Sequence, residues 1–150
     1  MVTLKDIEDF LKFKSFAIVG VSREKKKFGN LVYCELKKKG YQLYPVNRFA
    51  TSIDGDFCYK NISELPPDVR HVLIVVPKSK TNQVMQEVID KGITHIWLQQ
   101  QSETEEALQL AKDNNINLIY GQCIFMHAKP VTGFHCFHRF LKKLGGKFPS

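Results

Sequence analysis

Short apolar runs alternate with amphipathic segments along most of the chain. The runs are rich in β-branched residues and have the length of strands; they lie at 16–19, 42–46, 71–76, 95–98 and 116–120. Between them, apolar residues recur three and four positions apart, which is the helical period. Strands that alternate with helices predict a mostly parallel sheet with right-handed crossovers and helices on both faces.

The apolar positions at helical spacing predict four helices in this region. Their buried sides are Leu4, Ile7 and Leu11; Phe28, Leu31, Val32 and Leu36; Val84, Met85, Val88 and Ile89; and Ala107, Leu108 and Ala111. Thr3 to Asp6 and Ser102 to Glu105 have the spacing of capping boxes, so we expect them to open the first and fourth helices. Asp54-Gly55 predicts a turn with a short strand beside it.

The most informative stretch is the loop between the first strand and the second helix. The strand ends in Gly20-Val21-Ser22, and the helix opens at Phe28-Gly29-Asn30. A glycine there lets the backbone approach a ligand, and the free N–H groups of a helix start attract anions. Four cations occupy the same loop: Arg23, Lys25, Lys26 and Lys27. We therefore expect a phosphate-binding turn.

The second strand leads into Pro45-Val46-Asn47-Arg48, the position at which a dinucleotide fold reads the adenosine ribose. An NAD site would have an acidic residue there, and none is present. Arg48 suits a phosphate on the ribose, as in CoA and NADP, although a solvated loop arginine explains it equally well. Ligands of open α/β sheets bind beyond the carboxyl ends of strands, so Val76, Pro77, Lys78 and Ser79 should line the same cleft.

Four segments in order resemble a known family. They are Phe16 to Ser22, Gly40 to Asn47, Val72 to Pro77 and Trp97-Leu98-Gln99. The chain from about Ser15 to Cys123 is similar to the small stand-alone CoA-binding proteins, which resemble the CoA-binding domain of the succinyl-CoA ligase α-subunit. The resemblance implies a Rossmann-like three-layer α/β sandwich with coenzyme A as the ligand.

On this basis each part of the site receives a role. The diphosphate would rest on Gly20 to Ser22 and the helix start, with the loop cations neutralising it. Pro45, Val46 and Asn47 would flank adenine and ribose, while Val76, Pro77, Lys78 and Gln99 would border the pantetheine route. The ligases use a phosphorylated histidine in a second domain, so the resemblance implies a module that binds CoA or acyl-CoA and is not an enzyme by itself.

Two other functions stay open. An NADP-dependent oxidoreductase would share the fold and Arg48, although the Gly-x-Ser turn lacks the second glycine of the dinucleotide motif. A nucleotide-binding regulatory module, or one that binds nucleic acid, would use the basic loop and tail, but aromatic residues do not interleave with the basic cluster. A homo-oligomer or a partner protein is possible.

Composition sets the broader limits. The 150 residues suit one domain spanning 1–150, with 43% hydrophobic and 25% charged residues, as in soluble globular proteins. No apolar run approaches a membrane span, and the N-terminus does not resemble a signal peptide. The net charge of +7 favours anionic partners. Four widely spaced cysteines indicate reduced thiols and a cytoplasmic protein.

The end of the chain has a different character. Phe134, Phe137, Phe140, Leu141 and Leu144 share one face of a predicted amphipathic helix at 134–145. We expect it to pack on the sheet or on a partner subunit rather than on a membrane or nucleic acid. Cys123, His127, His135, Cys136 and His138 could be metal ligands, but their spacing is not that of a zinc site, so we expect no metal.

Overall fold

A five-stranded parallel sheet forms the middle layer of the protein in the computed structural model, which describes residues 1–129. Its strands are β1 (Ser15–Val19), β2 (Gln42–Val46), β5 (His71–Ile74), β6 (His95–Gln99) and β7 (Asn117–Gln122). The order across the sheet is β2-β1-β5-β6-β7. Because the order reverses between β1 and β5, the crevice above that junction is the usual ligand position.

Within residues 1–129, four α-helices cover the two faces of this sheet. They are α1 (Leu4–Lys12), α2 (Phe28–Lys38), α3 (Lys78–Asp90) and α4 (Glu105–Asp113). Successive strand residues point to opposite faces, so Phe16 and Ile18 pack with α1 and α2, whereas Ala17 and Val19 pack with α3 and α4. The predicted Rossmann-like three-layer α/β sandwich is therefore confirmed.

A small hairpin follows β2. Its strands β3 (Ser52–Ile53) and β4 (Asp56–Phe57) pair antiparallel around the predicted Asp54-Gly55 turn. Lys37 of α2 holds it, since its Nζ lies 2.9 Å from Asp56 Oδ2. The chain then returns to the main sheet, where Tyr59 forms a bridge to Val46.

The predicted and observed boundaries differ at several elements, and the start of α4 and the end of β5 are two of them. Thr3 and Asp6 form the expected capping box, but α4 is capped by Thr104, whose hydroxyl accepts a hydrogen bond from the Ala107 amide. The expected cap, Ser102, instead donates its hydroxyl hydrogen to the Val76 carbonyl oxygen at 2.7 Å. The strand at 71–76 ends at Ile74, because Pro77 is already the N-cap of α3.

Some expectations fall on residues 130–150, which lie outside the described part. They are the helix at 134–145 and the possible metal ligands His135, Cys136 and His138. Among residues 1–129, no helix combines the length and the apolarity needed to cross a bilayer.

His71 is an unusual core residue, because it is 2% exposed and its Nε2 atom has no hydrogen-bond partner in the described part of the chain. Its ring stacks on His95 with centroids 4.5 Å apart, and Phe13 lies 4.1 Å away. Burial, with a smaller effect of His95, lowers the pKa of His71 to about 4. The imidazole is therefore neutral in the folded protein near pH 7.

This gives a prediction for the pH dependence of stability. In the unfolded chain His71 titrates near its ordinary pKa, so the unfolded state takes up a proton first as the pH falls. The contribution of His71 to stability should be constant above about pH 7 and should fall by about 3 kcal/mol between about pH 6.5 and 4. Urea unfolding from pH 7.5 to 4 measures it.

The control is His71→Gln, which cannot titrate. His95, Asp6 and Asp9 line the same cavity as His71, and they are unchanged in this variant. The unfolding free energy of the wild type, measured relative to that of the variant, should decrease on acidification. A difference that does not depend on pH would contradict the assignment.

Candidate functional site

The turn after β1 is held by close backbone approach. Gly20 has φ +99°, and a Cβ there would come within 2.0 Å of the Val75 carbonyl oxygen. Gly29, in the first turn of α2, packs equally closely, because its Cβ would come within 2.2 Å of the Gly20 oxygen. Any side chain at these two positions would push the turn away from the sheet or from the helix.

Two asparagines fix the carbonyl groups of this turn. Asn30 Nδ2 donates to the Ser22 oxygen at 2.8 Å, and Asn47 Nδ2 donates to the Val21 oxygen at 2.7 Å. The sequence predicted these side chains as ligand contacts. In the structure they position the turn, and Asn47 also joins it to the loop after β2.

The start of α2 has no side-chain cap. Lys27 is the N-cap residue and makes no side-chain capping hydrogen bond, and the first turn of the helix contains no acidic residue. The partial positive charge of the helix start is thus not offset by a carboxylate in its own first turn. Such an end favours an anion close to the Gly20 turn.

A cleft of about 430 Å³ opens at the carboxyl ends of β1 and β2 beside α3. Seven of the predicted site residues line it: Gly20, Val21, Ser22, Val46, Asn47, Arg48 and Val76. Lys60 and Lys80 line it as well and were not predicted. Three cations thus surround the cleft, while its carboxylate Glu87 accepts a hydrogen bond from Gln83.

The cations of the loop between β1 and α2 do not all line the same cavity. Arg23 and Lys25, with Asn30 and Lys38, line a second cavity of about 500 Å³. The other predicted site residues line neither cavity: Lys26, Lys27, Phe28, Gly29, Pro45, Pro77, Lys78 and Gln99. Gln99 is 4% exposed and its Oε1 accepts a hydrogen bond from the Ile124 amide, so it fastens the chain after β7.

The cysteines and histidines of the described part do not form a metal site. No group of three potential ligands comes together within residues 1–129. Cys123 and His127 are buried, and His127 Nε2 lies 3.1 Å from Gln122 Oε1. Burial raises the pKa of the Cys34 and Cys58 thiols, which makes both less reactive at neutral pH.

The comparison with known families agrees with this geometry. The profile of the CoA binding domain family matches residues 14–129, most of the chain. The chain belongs to the CoA-binding domain family. The match covers the turn, the cleft and all five strands of the sheet.

Individual relatives extend the comparison. The chain is 27% identical over 129 residues to the α-subunit of ADP-forming acetate–CoA ligase II from Pyrococcus furiosus, covering 79% of this chain and 28% of that subunit. It thus spans less than a third of the ligase subunit. The region it matches identifies this CoA-binding domain as related to the CoA-binding part of such ligases.

Solved structures show the same fold. A conserved hypothetical protein from Pyrococcus furiosus has a TM-score of 0.71 and 34% identity, covering 73% of this chain and 95% of that one. A hypothetical protein from Pyrococcus horikoshii has a TM-score of 0.79 and 26% identity, covering 88% and 94%. In both cases the similarity extends over nearly the whole length of the neighbouring structure.

The close approach at Gly20 leads to a stability prediction. Gly20→Ala should destabilise the protein by about 2 to 4 kcal/mol, because it adds a backbone clash to an unfavourable φ. Gly92→Ala is the matched control, since Gly92 has φ +85° but open space around its Cβ position; it should cost about 1 to 2 kcal/mol. Urea unfolding of both variants would measure the difference, and equal losses would contradict the packing argument.

Proposed function

We propose that the chain binds coenzyme A, free or acylated, in the cleft at the carboxyl ends of β1 and β2 beside α3, and that it is not an enzyme by itself. The observation that carries the proposal is the Gly20 turn. It lies at the point where the strand order reverses, and it lines an open cleft together with Arg48, Lys60 and Lys80. Membership of the CoA-binding domain family supports the same ligand.

The charges of the cleft suit a polyphosphorylated adenosine. The diphosphate would lie on the Gly20 turn near the start of α2, where helix amides and lysines favour negative charge. Arg48 would bind the phosphate on the ribose, with Lys60 and Lys80 as further cations. Phe49 is 76% exposed on the same wall and offers a stacking surface for adenine.

Some site residues act on the turn rather than on the ligand. Asn30 and Asn47 hold the Ser22 and Val21 carbonyls, so their contribution would be to keep the turn ready for phosphate. Pro45 and Val46 would support the adenosine side, and Val76, Pro77 and Lys78 would border the pantetheine side. Gln99 would support the pantetheine side indirectly, because its side chain accepts a hydrogen bond from the Ile124 amide.

The proposed role is that of an accessory module. The chain corresponds to about a quarter of the ligase subunit that it matches, and the catalytic work of such a subunit would belong to other regions. We propose one domain over residues 1–150, a cytoplasmic location, and a metabolic or regulatory partner or a second copy of the chain. Nucleic acid is not the expected partner.

An NADP-dependent oxidoreductase is the alternative, because Arg48 in the cleft also fits the ribose phosphate of NADP. The two functions differ in the ligand that binds. CoA should bind more tightly than NADPH in side-by-side calorimetry if the proposal is right, and the reverse order would favour the oxidoreductase.

The role of Arg48 can be tested with CoA and dephospho-CoA, which lacks the ribose phosphate. Arg48→Glu should weaken CoA binding by about tenfold or more, since a charge-assisted hydrogen bond is replaced by repulsion. It should have much less effect on dephospho-CoA. Titration calorimetry of both ligands with both proteins measures the difference.

The matched control is Lys112→Glu. Lys112 is exposed in the last turn of α4, at the opposite edge of the sheet, so this variant changes the net charge equally without touching the cleft. Equal loss of CoA affinity in the two variants would indicate a general charge effect. An equal effect of Arg48→Glu on the affinity for both ligands would show that Arg48 does not bind the ribose phosphate.

The loop lysines give a separate prediction. Among Lys25→Glu, Lys26→Glu and Lys27→Glu, at least one should weaken CoA binding by about tenfold, because a phosphate-contacting cation becomes an anion. Calorimetry on the three variants, with Lys112→Glu as the control, identifies the lysine. Unchanged affinity in all three would reject the loop as the diphosphate site.

A further inference from the structure

A third cavity, of about 390 Å³, lies at the amino ends of the strands, whereas the cleft lies at their carboxyl ends. Its floor consists of the first residues of three neighbouring strands, namely His71 of β5, His95 of β6 and Asn117 of β7. Helix α1 and the residue after it form one wall. This volume is within the usual range for a small-molecule site.

The charge of this cavity is opposite to that of the cleft. Asp6 and Asp9 line it, and no lysine or arginine is among the described residues that do so. The Asp6 carboxylate is already engaged with the amide and hydroxyl of Thr3, whereas Asp9 is solvent-exposed. In a protein with a net charge of +7, an acidic cavity selects against CoA and other anions.

His71 provides the second observation. Buried polar atoms nearly always have a hydrogen-bond partner, yet Nε2 of this 2% exposed side chain finds none among residues 1–129. The neutral imidazole lines the cavity with this position unfilled. A ligand that carries a polar hydrogen could complete the pairing.

Aromatic rings and aliphatic side chains supply the remaining surface; the apolar residues are Phe10, Phe13, Ile116, Leu118 and Ile119. Phe13 is 62% exposed, although its ring lies only 4.1 Å from that of His71. Because Nε2 of His71 is itself buried, access of a ligand to this atom requires the exposed Phe13 ring to move aside. A flat ligand could then stack on Phe13, and a positive charge is attracted to an aromatic face as well as to a carboxylate.

We propose that this cavity binds a small organic cation with N–H donors and a flat apolar part, such as a protonated aromatic amidine or amine. The Asp9 carboxylate pairs with the charge, Phe13 covers the flat part, and His71 Nε2 accepts a hydrogen bond from the ligand. The site is independent of the CoA cleft, because it lies at the amino ends of the strands.

Three molecules of nearly equal shape test the proposal at pH 7: benzamidinium, neutral benzamide and anionic benzoate. The backbone amide signals of the ¹⁵N-labelled full chain are followed by NMR during each titration. Benzamidinium should produce saturable shifts at Asp9, Phe13, His71 and His95, with a dissociation constant at or below about 10 mM. Benzamide should bind about tenfold more weakly, and benzoate should not bind at this site.

Variants locate the site. Asp9→Asn should weaken benzamidinium binding by about tenfold, whereas Glu8→Gln, which removes the same charge one residue away on α1, should not. Both variants should keep wild-type affinity for CoA, so the outcome does not depend on the proposed function. The proposal is overturned if benzamidinium gives no saturable shift, if benzamide binds equally well, or if Asp9→Asn has no effect.

Discussion

The candidate site depends on one steric constraint, which is the contact of three backbone segments at Gly20. The Gly20 turn lies against the Val75 carbonyl of the neighbouring strand segment and under Gly29 of α2, and neither contact leaves room for a Cβ. The Val75 amide also donates to the Val19 oxygen at 2.8 Å, which ties the two strand ends together. The position of the turn is thus set by the sheet and the helix before any ligand arrives.

This constraint explains why polar side chains near the turn have different tasks. Asn30 in α2 and Asn47 after β2 donate hydrogen bonds to the carbonyl oxygens of Ser22 and Val21, so both side chains hold the turn. Arg48, next to Asn47, is exposed and lines the cleft. Asn47 thus holds the turn in place, and its neighbour Arg48 supplies positive charge to the cleft.

Local patterns were sufficient to predict the strands and the glycine turn, because each of them depends on neighbouring residues, whereas the family was indicated by the order of four segments between Phe16 and Gln99. The separation of Arg23 and Lys25 from the cleft could not be read in this way, since it depends on how the loop folds over α2. Lys60 and Lys80 were missed for a similar reason: the hairpin carries Lys60 back to the sheet, and the first turn of α3 turns Lys80 toward the cleft. Gln99 is buried and accepts a hydrogen bond from the Ile124 amide, a contact with the chain after β7 that no local pattern indicates.

A turn that the fold already holds in place has a consequence for function. Binding to a preformed site orders few groups, so little of the interaction energy is lost to conformational entropy. Backbone amides and cations that hold a phosphate would bind CoA with the same strength before and after a reaction at its distant thiol end. Binding that is equally strong in the ground state and the transition state does not accelerate the reaction. Under the proposed function, such a turn would therefore hold the phosphates of CoA in the same way whatever the state of its thiol end.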